Sequence, residues 1–449
     1  MDFSGKRVLV IGTKRSGLAA IELLVRHGAQ VRAMDERPPS PDEKAKLEAL
    51  GVMVLAQTAE NVAEASPEVI VLSPGVPYDL PMLAPAREQG VQTIGEVELA
   101  SFFLKGPVIG ITGSNGKTTT TALAAHVLAR CGVACQVGGN IGTAVTSLID
   151  SSRDDRWNVL ELSSFQLESI AHFRADIAAC LNVTPNHLNR HHTFENYAAA
   201  KARLFETQHP GDRAVLNYED ATCLSYAART QADVFWFSGS RRVPTGVWLD
   251  GEELCFDDRP FMSLREVKLR GRHNVENAMA AALVAALAGA NLDQIGAAVE
   301  SFPGVEHRIE FVRQLDGVEY FNDSKATSVD ATLKAVEAFP GGLWIILGGE
   351  HKGSSYAPLR EPLQARARAA LIIGDEQYAG AAAPVIRKDL AGAVDLIDCG
   401  TIEGAVQYAR GHARPGDVVL LAPACASFDQ FKNFEQRGQM FKQTVAELF

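Results

Sequence analysis

The stretch Ile109-Gly110-Ile111-Thr112-Gly113-Ser114-Asn115-Gly116-Lys117-Thr118 decides how the chain is read. Val108–Ile111 is a short apolar run of the kind buried in a parallel sheet, and Thr118–Arg130 follows with a helical pattern. Between them, glycines let backbone N–H groups turn inward around phosphate oxygens, and the helix start adds the positive end of its dipole. Lys117 can then reach the β and γ phosphates of a nucleotide, and the Thr118 hydroxyl can bind Mg²⁺. The strict pattern needs a glycine six positions before its lysine. Ile111 stands there instead, and the nearest upstream glycine is Gly110. The plain alternative is a glycine-rich turn beside a surface lysine, and the strand–turn–helix setting argues against it.

Outward from this loop the chain alternates strand and helix. Upstream, Val8–Ile11, Val31–Met34 and Val69–Leu72 read as buried parallel strands, with a helix over Leu18–Arg26. Lys105-Gly106-Pro107 breaks any helix and marks a boundary. Downstream, strands are expected at Val159–Leu162, Ala178–Val183 and Ala214–Asn217. A hairpin turn at Asp250-Gly251 joins Val247–Leu249 to Leu254–Phe256, and an alanine-rich helix covers Val275–Ala288. After a second boundary at Ser301-Phe302-Pro303-Gly304, strands are expected at Val318–Phe321, Leu343–Leu347, Ala370–Ile373 and Val418–Leu421, with a helix from about Asn433. The pattern implies an α/β protein of three domains of doubly wound type, divided as 1–98, 99–301 and 302–449. The outer two are Rossmann-like and the central one is of phosphate-loop ATPase type. No internal repeat or low-complexity tract appears.

At 449 residues the chain is too long for one ordinary core. Its 47% hydrophobic and 22% charged residues are ordinary for a globular protein. The net charge of −11 disfavours nucleic acid as a partner. Seven cysteines at scattered spacings read as free thiols in a reducing compartment. No leader pattern and no apolar run of membrane-spanning length is present, so a cytoplasmic location is expected.

Several polar residues stand at expected strand ends, where such sheets place their sites. Glu161 can hold Mg²⁺ through hard carboxylate oxygen, although a lone glutamate there is more often a helix-start charge. His187 follows a strand and the turn Thr184-Pro185-Asn186. Lys201, in Tyr197-Ala198-Ala199-Ala200-Lys201-Ala202-Arg203, would by itself be a solvated helix charge. Asn274 and Asn277 would by themselves cap a helix. In the first segment Gly12-Thr13-Lys14-Arg15-Ser16-Gly17 has Lys14 where a dinucleotide fingerprint needs glycine, which disfavours NAD or FAD. Asp35 ends the second strand, where an acid can meet ribose hydroxyls or a base edge.

Thr112-Gly113-Ser114-Asn115-Gly116-Lys117-Thr118 is the form of this loop in the Mur ligases and folylpolyglutamate synthases. The runs Glu161-Leu162-Ser163-Ser164-Phe165-Gln166-Leu167-Glu168 and Ala422–Gly438 (APACASFDQFKNFEQRG) resemble the D-glutamate-adding Mur ligases, and the resemblance covers essentially the whole chain. Leu347-Gly348-Gly349-Glu350-His351-Lys352-Gly353 is similar to their Gly-Gly-Asp-x-Lys element, with Glu350 for Asp.

The resemblance implies a ligase of peptidoglycan precursor synthesis. It would use ATP to add D-glutamate to UDP-N-acetylmuramoyl-L-alanine through an acyl phosphate. By the same resemblance ATP meets Gly113, Ser114, Asn115, Gly116, Lys117, Thr118, Thr119, Asn274, Asn277, Arg308 and Asp323. Two Mg²⁺ ions are held by Thr118, Glu161, His187 and a carbamylated Lys201, and Lys117, Glu161, His187 and Lys201 carry the catalysis. The UDP-sugar meets Arg15, Ser16, Asp35, Arg37, Gly75 and Asn140, and D-glutamate meets Thr327, Lys352, Ser427 and Phe434. The family usually has Asp before its histidine, where this chain has Asn186. Small-molecule substrates and a monomeric enzyme are expected. A folylpolyglutamate-type ligase would lack the first hundred residues. A regulatory ATPase would hydrolyse ATP without a muramoyl substrate, and a nucleotide-sugar-binding module would need no cluster around Lys117.

Overall fold

Five continuous or half-buried apolar segments build the first sheet: β1 (Arg7–Ile11), β2 (Gln30–Asp35), β3 (Met53–Ala56), β4 (Val69–Leu72) and β5 (Gln92–Gly95). They pair in parallel in the order β3-β2-β1-β4-β5, with Val8 opposite both Val31 and Val69. The central strands are apolar throughout because helices cover both faces. The computed structural model describes residues 1–269, 271–374 and 377–449.

The second sheet has nine strands: β6 (Val108–Thr112), β7 (Cys135–Gly139), β8 (Trp157–Glu161), β9 (Ile177–Cys180), β10 (Arg213–Asn217), β11 (Asp233–Ser238), β12 (Gly246–Asp250), β13 (Glu253–Phe256) and β14 (Arg259–Ser263). Their order is β14-β13-β12-β11-β10-β9-β6-β8-β7, parallel as far as β12 and antiparallel through the β12–β13–β14 hairpins. The third sheet comprises β15 (Glu310–Leu315), β16 (Val318–Asn322), β17 (Leu343–Gly348), β18 (Ala367–Ile373), β19 (Leu396–Gly400) and β20 (Val418–Leu421), ordered β15-β16-β20-β17-β18-β19. All its pairings are parallel except β15–β16.

The chain divides into two units, Met1–Phe302 and Pro303–Phe449. The first holds two sheets, joined by buried carboxylates on the helix Glu96–Ser101. Glu98 accepts hydrogen bonds from the backbone of Ala171, His172 and Phe173 at 2.8–2.9 Å, and Glu96 accepts from Thr146 N and Oγ1 at 2.7 and 2.8 Å.

The strands expected from sequence are present, with shifts at their ends. The segment read as Ala178–Val183 stops being strand at Cys180, because Ser114 N takes the carbonyl of Asn182. The alanine-rich helix begins at Arg272, so Asn274 and Asn277 lie inside its first turns and do not cap it. Seven strands escape the sequence reading: β3, β5, β7, β14, β15 and β19, which are the six sheet edges, and the interior β11.

Candidate active site

In the second sheet β6 lies between β8 and β9, and the loops leaving their carboxyl ends converge. Crevices of this kind form where strand order reverses. The loop after β6 enters the helix Lys117–Arg130 with Gly116 as its cap at φ 82, so the cap residue brings no side chain between the helix start and a phosphate. A Cβ on Gly116 would lie 2.2 Å from Asn277 Oδ1, so glycine is required both for the turn and for the approach of the helix Arg272–Leu287. Asn277 is held there by Thr120 Oγ1 at 3.3 Å, and itself donates to Asn274 Oδ1 at 2.9 Å. Lys117 Nζ donates to the Gly113 and Ser114 carbonyls at 2.9 and 3.1 Å.

Five bonds tie this loop to the one after β9, two of them Ser114 Oγ to Thr184 O at 3.0 Å and Asn182 Nδ2 to Asn115 O at 3.3 Å. Ser114 N and Asn115 N donate to Asn182 O and Oδ1 at 2.8 and 2.9 Å, and Thr184 N donates to Ser114 Oγ at 2.8 Å. Thr112, the last residue of β6, donates through Oγ1 to Leu162 O at 2.9 Å and accepts from Lys201 Nζ at 3.2 Å. One hydroxyl thus brings together the ends of β6, β8 and the helix Phe194–Glu206.

On that helix Tyr197 and Lys201, four residues apart, share the buried face. Lys201 is 1% exposed, donates to Gly113 O at 2.9 Å, and lies 4.8 Å from the Tyr197 ring centroid. Burial and then the neighbouring Lys117 charge push its amine down to about 7, against partial opposition from Cys180, Cys223 and Glu161. Tyr197 OH hydrogen-bonds Ser114 Oγ at 2.9 Å, and burial holds this phenol up at about 12.

Glu161 ends β8 and is 2% exposed. Its Oε1 accepts from Asn140 Nδ2 at 2.8 Å, while its buried Oε2 has no hydrogen-bond partner among the described residues. A buried carboxylate oxygen without a protein donor suits a hard cation. His187 has φ 53, and its ring centroid lies 4.9 Å from that of Phe165 and 6.4 Å from that of Tyr197. Partial burial and the Lys117 and Lys201 charges keep its imidazole below the usual value, hence neutral and able to act as a ligand. No group of three or more His, Cys, Asp and Glu side chains suited to a metal occurs among the described residues. The donors that do fit Mg²⁺ form a mixed set: the Glu161 carboxylate, the His187 imidazole and the Thr118 hydroxyl. Lys201 joins it only if its amine becomes an oxygen ligand. Asn186, in the family's acidic position, accepts from His187 N at 2.9 Å and serves the turn.

In the first sheet the order reverses between β1 and β4. The helix Arg15–Arg26 begins there without a side-chain cap at Lys14, opposite the loop Ser73–Val76. A Cβ on Gly17 would lie 1.7 Å from Gly12 O, so the helix meets the strand end only with glycine at that position. Asp35 accepts from Thr13 N and Oγ1 at 2.6 and 2.9 Å and from Arg37 N at 3.0 Å; burial opposes, but these bonds hold its carboxyl below the usual range. Beside it lies a cleft of about 460 Å³, lined by Asp35, Glu36, Gln57, Thr58, Pro81 and Met82. Asn140, assigned from sequence to the UDP-sugar, donates to Glu161 Oε1.

The second unit carries Arg308, Asp323, Thr327, Lys352, Ser427 and Phe434. Thr327, Lys352 and Ser427 follow β16, β17 and β20, the adjacent strands around this sheet's reversal. Antiparallel bonds between Glu350 and Ala426, at 3.0 and 3.1 Å, tie the last two of these loops. Buried Arg437 clamps the same region through Ser324 O and Oγ and the Cys425 and Ala426 carbonyls. Asp323 is 5% exposed; burial raises its carboxyl to about 7 against the pull of Arg308 and of the Ile309 N–H. Phe434 opens the helix Phe434–Ala446, and its carbonyl accepts from Ser324 Oγ at 2.7 Å.

Thr112, Tyr197 and Asn182 were not singled out from sequence. Tyr197 had a usable signal in its spacing from Lys201; the other two are ordinary polar residues whose role depends on partners far along the chain.

Models of three protein families match the chain: the Mur ligase MurD-like N-terminal domain over residues 6–95, the Mur ligase middle domain over 111–285, and the Mur ligase glutamate ligase domain over 307–425. A UDP-N-acetylmuramoylalanine–D-glutamate ligase of Solibacter usitatus is 59% identical, over 99% of this chain and 98% of its own length. One of Acidobacterium capsulatum is 50% identical, over 99% and 97%. Among solved structures, UDP-N-acetylmuramate–alanine ligase of Thermotoga maritima is similar in fold, with a TM-score of 0.60 at 18% identity over 98% of this chain and 99% of that one. A pseudomurein peptide ligase of Methanothermus fervidus gives a TM-score of 0.57 at 17% identity, over 98% and 100%.

Proposed function

This chain belongs to the Mur ligase family, and from that premise we propose how its residues work. It joins D-glutamate to UDP-N-acetylmuramoyl-L-alanine at the expense of ATP, a step of peptidoglycan precursor synthesis. The observation that carries the chemistry is the meeting, at one reversal of strand order, of a phosphate loop, a carboxylate with an unpartnered oxygen and a buried, easily deprotonated amine.

A terminal carboxylate oxygen of the muramoyl substrate attacks the γ-phosphorus. The bond to the β–γ bridging oxygen breaks, and ADP leaves. Lys117 turns from its loop carbonyls to the phosphates, and the N–H groups at the start of its helix take further charge. The glutamate nitrogen then attacks the acyl carbon, loses a proton, and the C–O bond to phosphate breaks to leave an amide. Mg²⁺ when bound would supply charge neutralisation to the phosphates. Thr118, Glu161, His187 and Lys201 are its ligands in this reading, and two ions are proposed. The neutral Lys201 amine is the form that adds CO₂, releasing a proton and giving a carbamate whose single negative charge is shared by two oxygens. Thr119, Asn274, Asn277, Arg308 and Asp323 complete the ATP site. The cleft beside Asp35 takes the uridine, with Arg15, Ser16, Arg37 and Gly75 around the diphosphate and Asn140 reaching the sugar end. Thr327, Lys352, Ser427 and Phe434 receive D-glutamate. Domain limits of 1–98, 99–301 and 302–449, a monomer and a cytoplasmic location complete the proposal.

The test is phosphate release from ATP with UDP-N-acetylmuramoyl-L-alanine and, in turn, D-glutamate, L-glutamate, D-glutamine and D-alanine. Release that requires both the nucleotide sugar and D-glutamate is expected. Release that ignores the nucleotide sugar would overturn the reading.

A further inference from the structure

We propose that Arg190 is a positioning residue: it fixes the loop that meets the nucleotide sugar against the segment that carries His187. The inference rests on the ligase reading above. The Arg190 side chain is 11% exposed and lies where the first two sheets meet. Its Nη1 and Nη2 donate to Gly75 O and Val76 O at 3.4 and 2.8 Å, in the loop after β4. Nη2 also pairs with the Glu168 carboxylate, whose titration burial raises even against that pairing. Its guanidinium carbon stands 5.0 Å from the Phe165 ring centroid, and that same ring packs on His187 and His191. Arg190 N donates to His187 O at 3.0 Å.

Three segments that the sequence keeps far apart therefore meet at one guanidinium: the loop Ser73–Val76, the turn Ser164–Glu168, and His187–His191. The muramoyl substrate must reach from the diphosphate loop to the phosphorus near His187. A misplacement of about 1 Å between its two ends is enough to lose a large part of the rate. A planar fork holds two carbonyls and a carboxylate in fixed directions across its span; an ammonium on a flexible stem keeps the charge without that geometry.

The test compares Arg190→Ala, Arg190→Lys and Glu168→Gln with wild type in steady-state ligation, varying the nucleotide sugar and ATP separately, with thermal unfolding measured alongside. Arg190→Ala is expected to raise KM for UDP-N-acetylmuramoyl-L-alanine roughly tenfold or more and to lower kcat, with KM for ATP within about twofold of wild type. Arg190→Lys is expected to fail nearly as badly, and Glu168→Gln, which keeps the carbonyl contacts, to be milder. If Arg190→Ala does not fold, the other two variants decide. Equal loss of both substrates, unchanged kinetics, or full recovery by Arg190→Lys would overturn the proposal while the ligase reading stands. A wild-type protein that does not ligate would overturn both.

Discussion

Lys201 gives the sharpest prediction, because its burial has a calculable chemical consequence. At pH 7 roughly half of an amine titrating near 7 is neutral, against about one part in three thousand of an amine at the ordinary lysine value of 10.5. Only the neutral amine adds CO₂, so burial multiplies the reactive fraction by about 10³ at that pH. The sign follows: the neutral fraction grows as pH rises through 7 and disappears below it. Activity is expected to fall when dissolved CO₂ is removed, more steeply at pH 6 than at pH 8, and to return on adding bicarbonate. Carbon-13 NMR with labelled bicarbonate should show a carbamate resonance that Lys201→Ala lacks. That variant should lose about 10³ of the rate and regain part of it with formate, which restores carboxylate oxygens to the emptied space. Full activity in CO₂-free buffer, with no carbamate signal in active wild type, would refute the reasoning.

Lys117→Ala should fold normally yet lose about 10³ or more in kcat in the phosphate-release assay, since a phosphate clamp contributes several kcal/mol to the transition state. Glu161→Gln should leave ATP binding in the absence of metal nearly unchanged and raise the Mg²⁺ concentration for half-maximal activity by at least about tenfold, read from a metal titration, because an amide oxygen replaces an anionic ligand. Saturation curves should rank D-glutamate far above L-glutamate, D-glutamine and D-alanine, as each buried donor left unpaired costs about 1–3 kcal/mol. Lys352→Ala should raise KM for D-glutamate well beyond any change in KM for ATP, and L-glutamate matching D-glutamate in kcat/KM would sink the assignment of that loop.

How much of this was legible in the sequence depended on where each element lies in its sheet. Val8–Ile11, Val69–Leu72 and Val418–Leu421 are interior strands, closed on both faces and both edges, so their residues are apolar without interruption and announce themselves. Gln92-Thr93-Ile94-Gly95 and Cys135-Gln136-Val137-Gly138-Gly139 close the edges of their sheets, where solvent tolerates polar side chains and the periodicity fades. The phosphate loop was legible because its function is in its backbone, and glycine spacing is a local signal. Glu161, His187 and Lys201 owed their recognition to family resemblance, since each alone is a common residue in a common place. Arg190 and Thr112 were invisible, because what they do is set by partners 114 and 89 residues away along the chain.

The site is built at a cost to stability, and its acid–base behaviour carries that cost with a definite sign. Lys201 titrates lower when folded than when unfolded, so between about 7 and 10.5 the unfolded chain holds more protons and stability rises with pH. The penalty for burying its charge is complete below pH 7 and gone above 10.5, where both states are neutral. Glu161 Oε2 adds a second unfavourable feature, a buried carboxylate oxygen without a donor. Neither is explained by packing, since the core around them is otherwise closed by Tyr197, Cys180 and Cys223. Both would become favourable if the amine turned into an anionic ligand and Glu161 and that ligand held a cation. On the proposed reading the two defects would be features of a site that its ligands complete.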